Sequence, residues 1–542
     1  MKIRNGGARV AFYSIAAASV VGCQVTGEEF PDTEPPQCVT REDCENIGGD
    51  FRGRICSSEG VCVRNPNPPP LPPRDYGCIS DDQCASELGY PSKCPVPGTK
   101  CIQIGNASCS VRGDWKSPSA IFFGVDLSRD AASREPYEIA TRAKQSSDFA
   151  TAELIDQMRG VPRVPVWVSC QSEAGEDFNA HWRNVGVSAI VTRTDAASLR
   201  AAKFFDGKMN RATPILCADC AADVRTDSGA SASNLYQRSQ PLLDSLPMAV
   251  DILRDLEKRR IDAGATSKLR VSVFAGSGSK STRDRIAAGL AFNGVGLNEN
   301  VAAGNASFND PRLSSGATDV DALQTTLLST NPDVVILYAD AFALFPLIEA
   351  TTTKARYIVM GNAATFREMA SAVGTSADLA ARVVMVESPL GVATDPSFEL
   401  GGLKQFRSFL GEPTAVPNWN VYESVYIAAY AATTNAAGLV TNEAYFRDAI
   451  KRMSDSAAKP LVVGPSSLVP IVSSLSSGGN VNLFGVTSAL GIDASKGSPL
   501  VGTTFARCGK GAGAEIQWVQ NTRTYSTKTG TFSGVDLCPL PL

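Results

Sequence analysis

Short, almost wholly apolar runs alternate along this chain with longer stretches whose apolar residues return every three or four positions. The short runs are Ala120–Val125, Val164–Ser169, Ala189–Thr192 and Pro214–Cys217, and later Leu269–Phe274, Asp333–Tyr338, Tyr357–Met360 and Val383–Val386. Continuous apolarity over four to six residues predicts strands covered on both faces. Between them, Tyr137–Met158, Ala196–Phe205, Leu246–Ile261 and Val320–Leu328 carry the helical period. Strand and helix in alternation predict a parallel sheet with right-handed crossovers. The opening unit occurs twice, at Ser119–Ser128 and at Lys268–Leu290. In the second, Val271, Val273 and Phe274 form a strand and Gly276 and Gly278 break it. Ser279, Ser281 and Thr282 then cap a helix carrying Ile286 and Leu290. Two openings predict two α/β lobes and a cleft between them that holds a small molecule.

The pattern is different before Trp115. Cys38, Cys44, Cys56 and Cys62 form one cluster, and Cys78, Cys84, Cys94 and Cys101 a second with nearly the same spacing. Neither has apolar residues enough for a core, so cross-links must supply the stability. Asn65–Pro73 (NPNPPPLPP) between them predicts an extended polyproline spacer. Residues 23–115 therefore read as a tandem Cys-rich stalk. A four-cysteine zinc site fits poorly, because the paired cysteines stand five residues apart rather than two. The other cysteines are Cys109, Cys170, Cys217, Cys220, Cys508 and Cys538, the last two expected to close a C-terminal loop. Fourteen cysteines after Cys23 is an even number, which in an exported chain predicts disulfides. Cys217-Ala-Asp-Cys220 is a CxxC, but no thioredoxin-sized unit surrounds it, so a structural disulfide is favoured over a redox or metal role.

Lys2, Arg4 and Arg9 precede an apolar run, Val10–Val21, too short for a comfortable membrane span. The run ends in Val20-Val21-Gly22-Cys23, which resembles the bacterial lipobox. The resemblance implies removal of residues 1–22 and lipidation of Cys23, with Gln24 favouring the outer over the inner membrane and a periplasmic or surface-facing domain. Acyl chains on one cysteine give firm anchoring. Losing those three basic residues takes the formal charge from −4 to −7, small for 520 residues. No basic field invites nucleic acid. The single histidine, His181, argues against histidine metal sites and most acid–base catalysis, and reads as a surface residue.

Enzyme signatures are missing. The run Gly276-Ser277-Gly278-Ser279-Lys280-Ser281 lacks the glycines a phosphate loop needs where Phe274 and Ser279 stand. No GxSxG elbow is present. The expectation is a protein without catalytic residues, cofactor or metal.

From about residue 117 to 535 the order of pieces resembles the type I periplasmic binding proteins, the branched-chain amino acid and amide receptor group. The matching stretches are Gly124–Ser128, Gly186–Thr192, Thr213–Leu216, Asn234–Pro241 as a first crossing between lobes, Asp333–Ala350, Asn420–Leu439 and the Gly-rich Leu483–Gly497. Arg193-Thr194-Asp195 departs from the serine pair of that family. The resemblance implies two Rossmann-like parallel-sheet lobes with hinge crossings. Lobe 1 is expected from 116–240 plus 390–440, and lobe 2 from 241–389 plus 441–542. By position, Ser128, Thr194, Asp195, Ala218 and Asp219 would contact ligand from the first lobe. Ser279, Tyr338, Asp340, Asn362 and Glu387 would do so from the second. Hydroxyls and helix-start N–H groups suit a carboxylate or amide, and Asp and Glu suit an ammonium. The implied function is capture of a small polar solute, amino acid or amide-like, for an ABC-type permease or a sensor. The alternative is a surface interaction lipoprotein that keeps this fold without a transported ligand.

Overall fold

The computed structural model describes residues 38–40, 43–44, 54–64, 77–128, 137–158, 163–172, 176–205, 212–220, 233–239, 241–275, 280–309, 317–352, 354–361, 369–387, 418–433, 443–485, 490–500, 502–512, 515–527, 529–535 and 537–542. The expected leader, the lipidated Cys23 and the spacer Asn65–Pro73 lie outside these residues. The chain forms two compact units, Met1–Tyr76 and Gly77–Leu542.

The described residues of the first unit form a disulfide module. A hairpin pairs Arg54–Cys56 with Cys62–Arg64, and Cys38–Cys56 and Cys44–Cys62 cross-link it. In the second unit, Cys78–Cys94 and Cys84–Cys101 repeat that connectivity around the helix Asp81–Leu88. Ser80 caps this helix by accepting from Gln83 N, and Gly89 ends it at a left-handed φ of 71°. The expected stalk is corrected over residues 77–115. The second module docks on the large domain: Ile104 is buried in its core, and Lys116 pairs with Asp82. His181 is corrected too. It sits half-buried in the helix Asn179–Val185 and donates Nε2–H to the Ile104 carbonyl at 2.9 Å. Burial pushes its pKa down, partly opposed by that hydrogen bond.

The first lobe's strands are β1 (Cys109–Arg112), β2 (Ala120–Asp126), β3 (Val164–Cys170), β4 (Ala189–Thr192), β5 (Ile215–Cys217) and β6 (Leu235–Gln237). Their spatial order is β6-β5-β4-β2-β3-β1. All pairs are parallel except β1 on β3, where the Cys109–Cys170 disulfide ties the edge strand down. The second lobe holds β7 (Val271–Ala275), β8 (Ala306–Asn309), β9 (Val334–Tyr338), β10 (Arg356–Gly361), β11 (Val383–Glu387), β12 (Thr503–Ala512), β13 (Glu515–Ser526) and β14 (Thr531–Ser533). Their order is β8-β7-β9-β10-β11-β12-β13-β14, the first five parallel and the last three antiparallel. Cys508–Cys538 closes this C-terminal extension, as expected. The fold class is thus two separate parallel-sheet α/β lobes with disulfide-rich modules before them.

Period-two alternation divides each sheet between two cores. In the first lobe Phe123, Val125, Trp167 and Val191 face one cluster, while Phe122, Val166, Val168 and Ile190 face another. Gly124 lies on the second face because Trp182 packs there: a Cβ would stand 3.1 Å from its ring. In the second lobe Val271, Val273, Ile336 and Ile358 join one cluster, and Phe274, Leu337 and Val359 the other.

One domain expectation is overturned. The described residues of 443–492 pack with the first lobe's core, not the second's. The helix Glu443–Met453 puts Phe446, Ala449, Ile450 and Met453 on one face. That stripe, with Leu468, Ile471 and Leu475 of the helix Pro465–Ser476, packs on the long helix Trp419–Thr433, whose described residues 419–432 are all buried. The chain enters β12 of the second lobe only after the hairpin Ile492–Asp493 and Ser498–Pro499. Of the crossings, 388–417 lies outside the described residues. The first, after β6, is held by Gln237 N donating to Gly497 O at 2.7 Å.

Candidate functional site

Both lobes run second-first-third-fourth-fifth across their parallel strands. In such a sheet the chain leaves the first and third strands toward opposite faces, and the crevice at their carboxyl ends is where ligands bind. The crevice falls after β2 and β4 in the first lobe, and after β7 and β9 in the second.

At the first crevice, Ser128 N donates to Asp126 Oδ1 at 2.9 Å. Burial pushes the Asp126 carboxyl up. Hydrogen bonds from Ser128 and the charges of Arg200 and Arg193 pull the other way. Arg193 is buried and reaches across from the end of β4, its Nη2 donating to Ser128 O at 3.0 Å. Thr194 is in extended backbone and caps the helix Asp195–Phe204 by accepting from Ala197 N at 3.3 Å. Asp195 opens that helix, where a negative charge suits the free N–H groups. Thr192 Oγ1 and Ser198 Oγ, 2.6 Å apart, brace the same turn from within.

Ala218 and Asp219 follow β5. Ala218 is fully buried, and its N–H donates to Thr192 O at 2.8 Å. The Asp219 carboxylate accepts from Asn418 Nδ2 at Oδ2 and from Asn420 Nδ2 at Oδ1, 3.0 Å away. It therefore anchors the start of the long helix. In the second lobe Tyr338 ends β9, 2% exposed within the core. Asp340 lies in the short helix Ala339–Leu344 and Glu387 ends β11, paired in register with Gly361 and Phe505. The side chains of these two acids, and the whole of Ser279 and Asn362, lie outside the described residues. The structure thus brings Ser128, Thr194 and Asp195 together at one crevice, and sets Ala218 and Asp219 one strand further on.

Sequence reasoning missed a buried ion pair. Arg238, just past β6, donates Nε and Nη2 to Glu423 Oε2 at 2.9 and 2.6 Å. Glu423 is 0% exposed on the long helix. One acid within the apolar run Trp419–Thr433 was the available signal, since a charge at a core position requires a partner. Nearby, Glu153 accepts the hydroxyls of Tyr422 and Tyr426 at 2.7 and 2.8 Å. Those tyrosines share one helical face with Tyr430, and burial raises all three phenols well above their usual range.

The sequence matches no protein-family model, and no curated protein matches it. Solved structures similar to this chain include a leucine binding protein LivK from Thermotoga maritima, 12% identical, with a TM-score of 0.47 over 74% of this chain and 97% of that one. The branched-chain amino acid transporter substrate binding protein LivJ from Streptococcus pneumoniae, solved in complex with isoleucine, is 14% identical, with a TM-score of 0.45 over 74% and 100%. A leucine-, isoleucine-, valine-, threonine- and alanine-binding protein from Brucella ovis, in a closed conformation, is 8% identical, with a TM-score of 0.47 over 76% and 96%. The fold assignment rests on strand order and register rather than on these values.

Proposed function

We propose that this chain is a solute-binding protein that takes a small polar molecule, amino acid or amide-like, between its two lobes. What supports the reading is the doubled strand order: one chain carries the same ligand-binding crevice twice. Ser128, Thr194, Asp195, Ala218 and Asp219 would serve from the first lobe. Ser279, Tyr338, Asp340, Asn362 and Glu387 would serve from the second. Closure about the crossings buries the ligand, so binding shifts an open–closed equilibrium. The bound protein then engages an ABC-type permease or a sensor, while Cys23 carries the lipid that anchors the chain in the cell envelope, at the outer membrane. Among the described residues no helix is long and apolar enough to cross a membrane.

A thermal-shift panel of amino acids, amides, small carboxylates and sugars tests the reading. A true ligand at 100 times its Kd stabilises the fold by about 2.7 kcal/mol. A panel with no shift favours the second reading, an interaction protein on the same scaffold. That alternative draws support from the tandem disulfide modules, which a solute receptor does not need.

A further inference from the structure

We propose that the Cys217–Cys220 disulfide is a positioning clasp for the interlobe hinge, fixing a four-residue loop that grips the long helix on one side and the first crossing on the other. The coupling stands on the geometry alone; only its consequence for ligand affinity rests on the solute-binding reading.

The loop spans Cys217-Ala218-Asp219-Cys220, and both cysteines are buried, at 0% and 1% exposure. Each residue of it has a separate task. Cys217 O accepts from Arg238 N at 2.8 Å, and Ala218 N donates to Thr192 O at 2.8 Å, beside the crevice. The Asp219 carboxylate takes the two asparagine amides that begin the long helix. Asn418 also caps that helix, its Oδ1 accepting from Val421 N at 3.1 Å. Cys220 O accepts from Gln237 Nε2 at 2.9 Å, at the end of β6, and from Ser239 Oγ at 2.6 Å, where the first crossing begins. A single short loop thereby joins the crevice, the helix and the hinge.

Such a loop can hold three elements only if its own backbone is fixed. Without the cross-link, Ala218 and Asp219 regain conformational freedom, and a carboxylate serving two amides loses its position. A thioredoxin-like exchange role fits less well, because an exchanging pair needs an accessible thiolate. When the clasp is loose, the helix start and the crossing move independently, closure becomes less cooperative, and ligand affinity falls.

Hydrogen exchange of the ligand-free protein tests the clasp, using the double variant Cys217→Ser/Cys220→Ser. The expected result is at least tenfold faster exchange at 419–424 and at 235–239, with 122–126 and 166–169 unchanged. Faster exchange that extends to 122–126 and 166–169 in the sheet interior would show a merely structural cross-link and overturn the proposal. So would unchanged exchange at both segments. Asp219→Asn, with the disulfide intact, gives a second reading should the double variant fail to fold. It should free 419–424 and leave 235–239 protected, and an equal effect on both segments, or on neither, also overturns the clasp. None of these readouts requires a ligand, so a failed ligand search and a failed clasp remain separate results.

Discussion

The buried ion pair between Arg238 and Glu423 makes a quantitative prediction. Glu423→Ala removes the carboxylate that receives two guanidinium N–H groups and leaves the Arg238 charge inside, where its side chain is 7% exposed. Breaking one side of a buried pair typically costs about 3–5 kcal/mol, most of it the desolvation of the charge left behind. Glu423→Ala and Arg238→Ala should each fall in that range. The double variant should cost well under their sum, because the same interaction is lost only once. Gly485 supplies an independent route to the same break: a Cβ there would lie 2.0 Å from Glu423 Oε1 and 2.8 Å from Leu490 Cδ2. Gly485→Ala should therefore destabilise the wild type, and less so in the Glu423→Ala background, with the remainder due to Leu490. The assay is urea denaturation followed by circular dichroism, with the slope held constant across variants. The reasoning is refuted if Glu423→Ala lies within about 1 kcal/mol of wild type, below the range for breaking one side of a buried pair, or if the two single variants add.

Further expectations are open to measurement. Glu153 has its carboxyl pKa raised by burial, against the donors Tyr422 and Tyr426. A raised folded pKa means that the folded state holds the proton more tightly, so this group's contribution to stability declines as pH rises from the ordinary carboxylate range through the folded value. Glu153→Gln should remove that decline, and matched stability–pH curves for the two proteins should converge at the acid end; parallel curves would contradict it. Gly124→Val forces a branched side chain onto Trp182 and should cost about 1–3 kcal/mol in chemical denaturation. Thiol titration of unfolded, unreduced protein should find the fourteen cysteines after Cys23 fully paired, as the seven bridges require. Two or more free thiols would reject that pairing.

Eight strands were legible from the sequence because burial on both faces leaves a continuous apolar run, a local mark that needs no knowledge of neighbours. The strands it concealed are short or mixed in polarity. Cys109–Arg112, Leu235–Gln237 and Ala306–Asn309 lie at sheet edges or beside them, and Thr503–Ala512 alternates with polar residues in an antiparallel extension. The crevice residues Ser128, Thr194 and Asp195 could be placed in advance, since the carboxyl end of a strand followed by a helix cap is itself a local pattern. An even cysteine count and a repeated spacing implied oxidation.

Which pieces met was decided by the tertiary structure. Residues 441–542 were expected in the second lobe, but the apolar stripe of Glu443–Met453 packs on the long helix of the first. Cys109 found Cys170 only because an antiparallel edge strand sets their Cα atoms 4.0 Å apart. Asp219, read as a ligand contact, holds two asparagines distant by about two hundred positions in the chain. Periodicity and composition act over a few residues. The pairing of distant surfaces depends on shape and charge that exist only once the chain has folded.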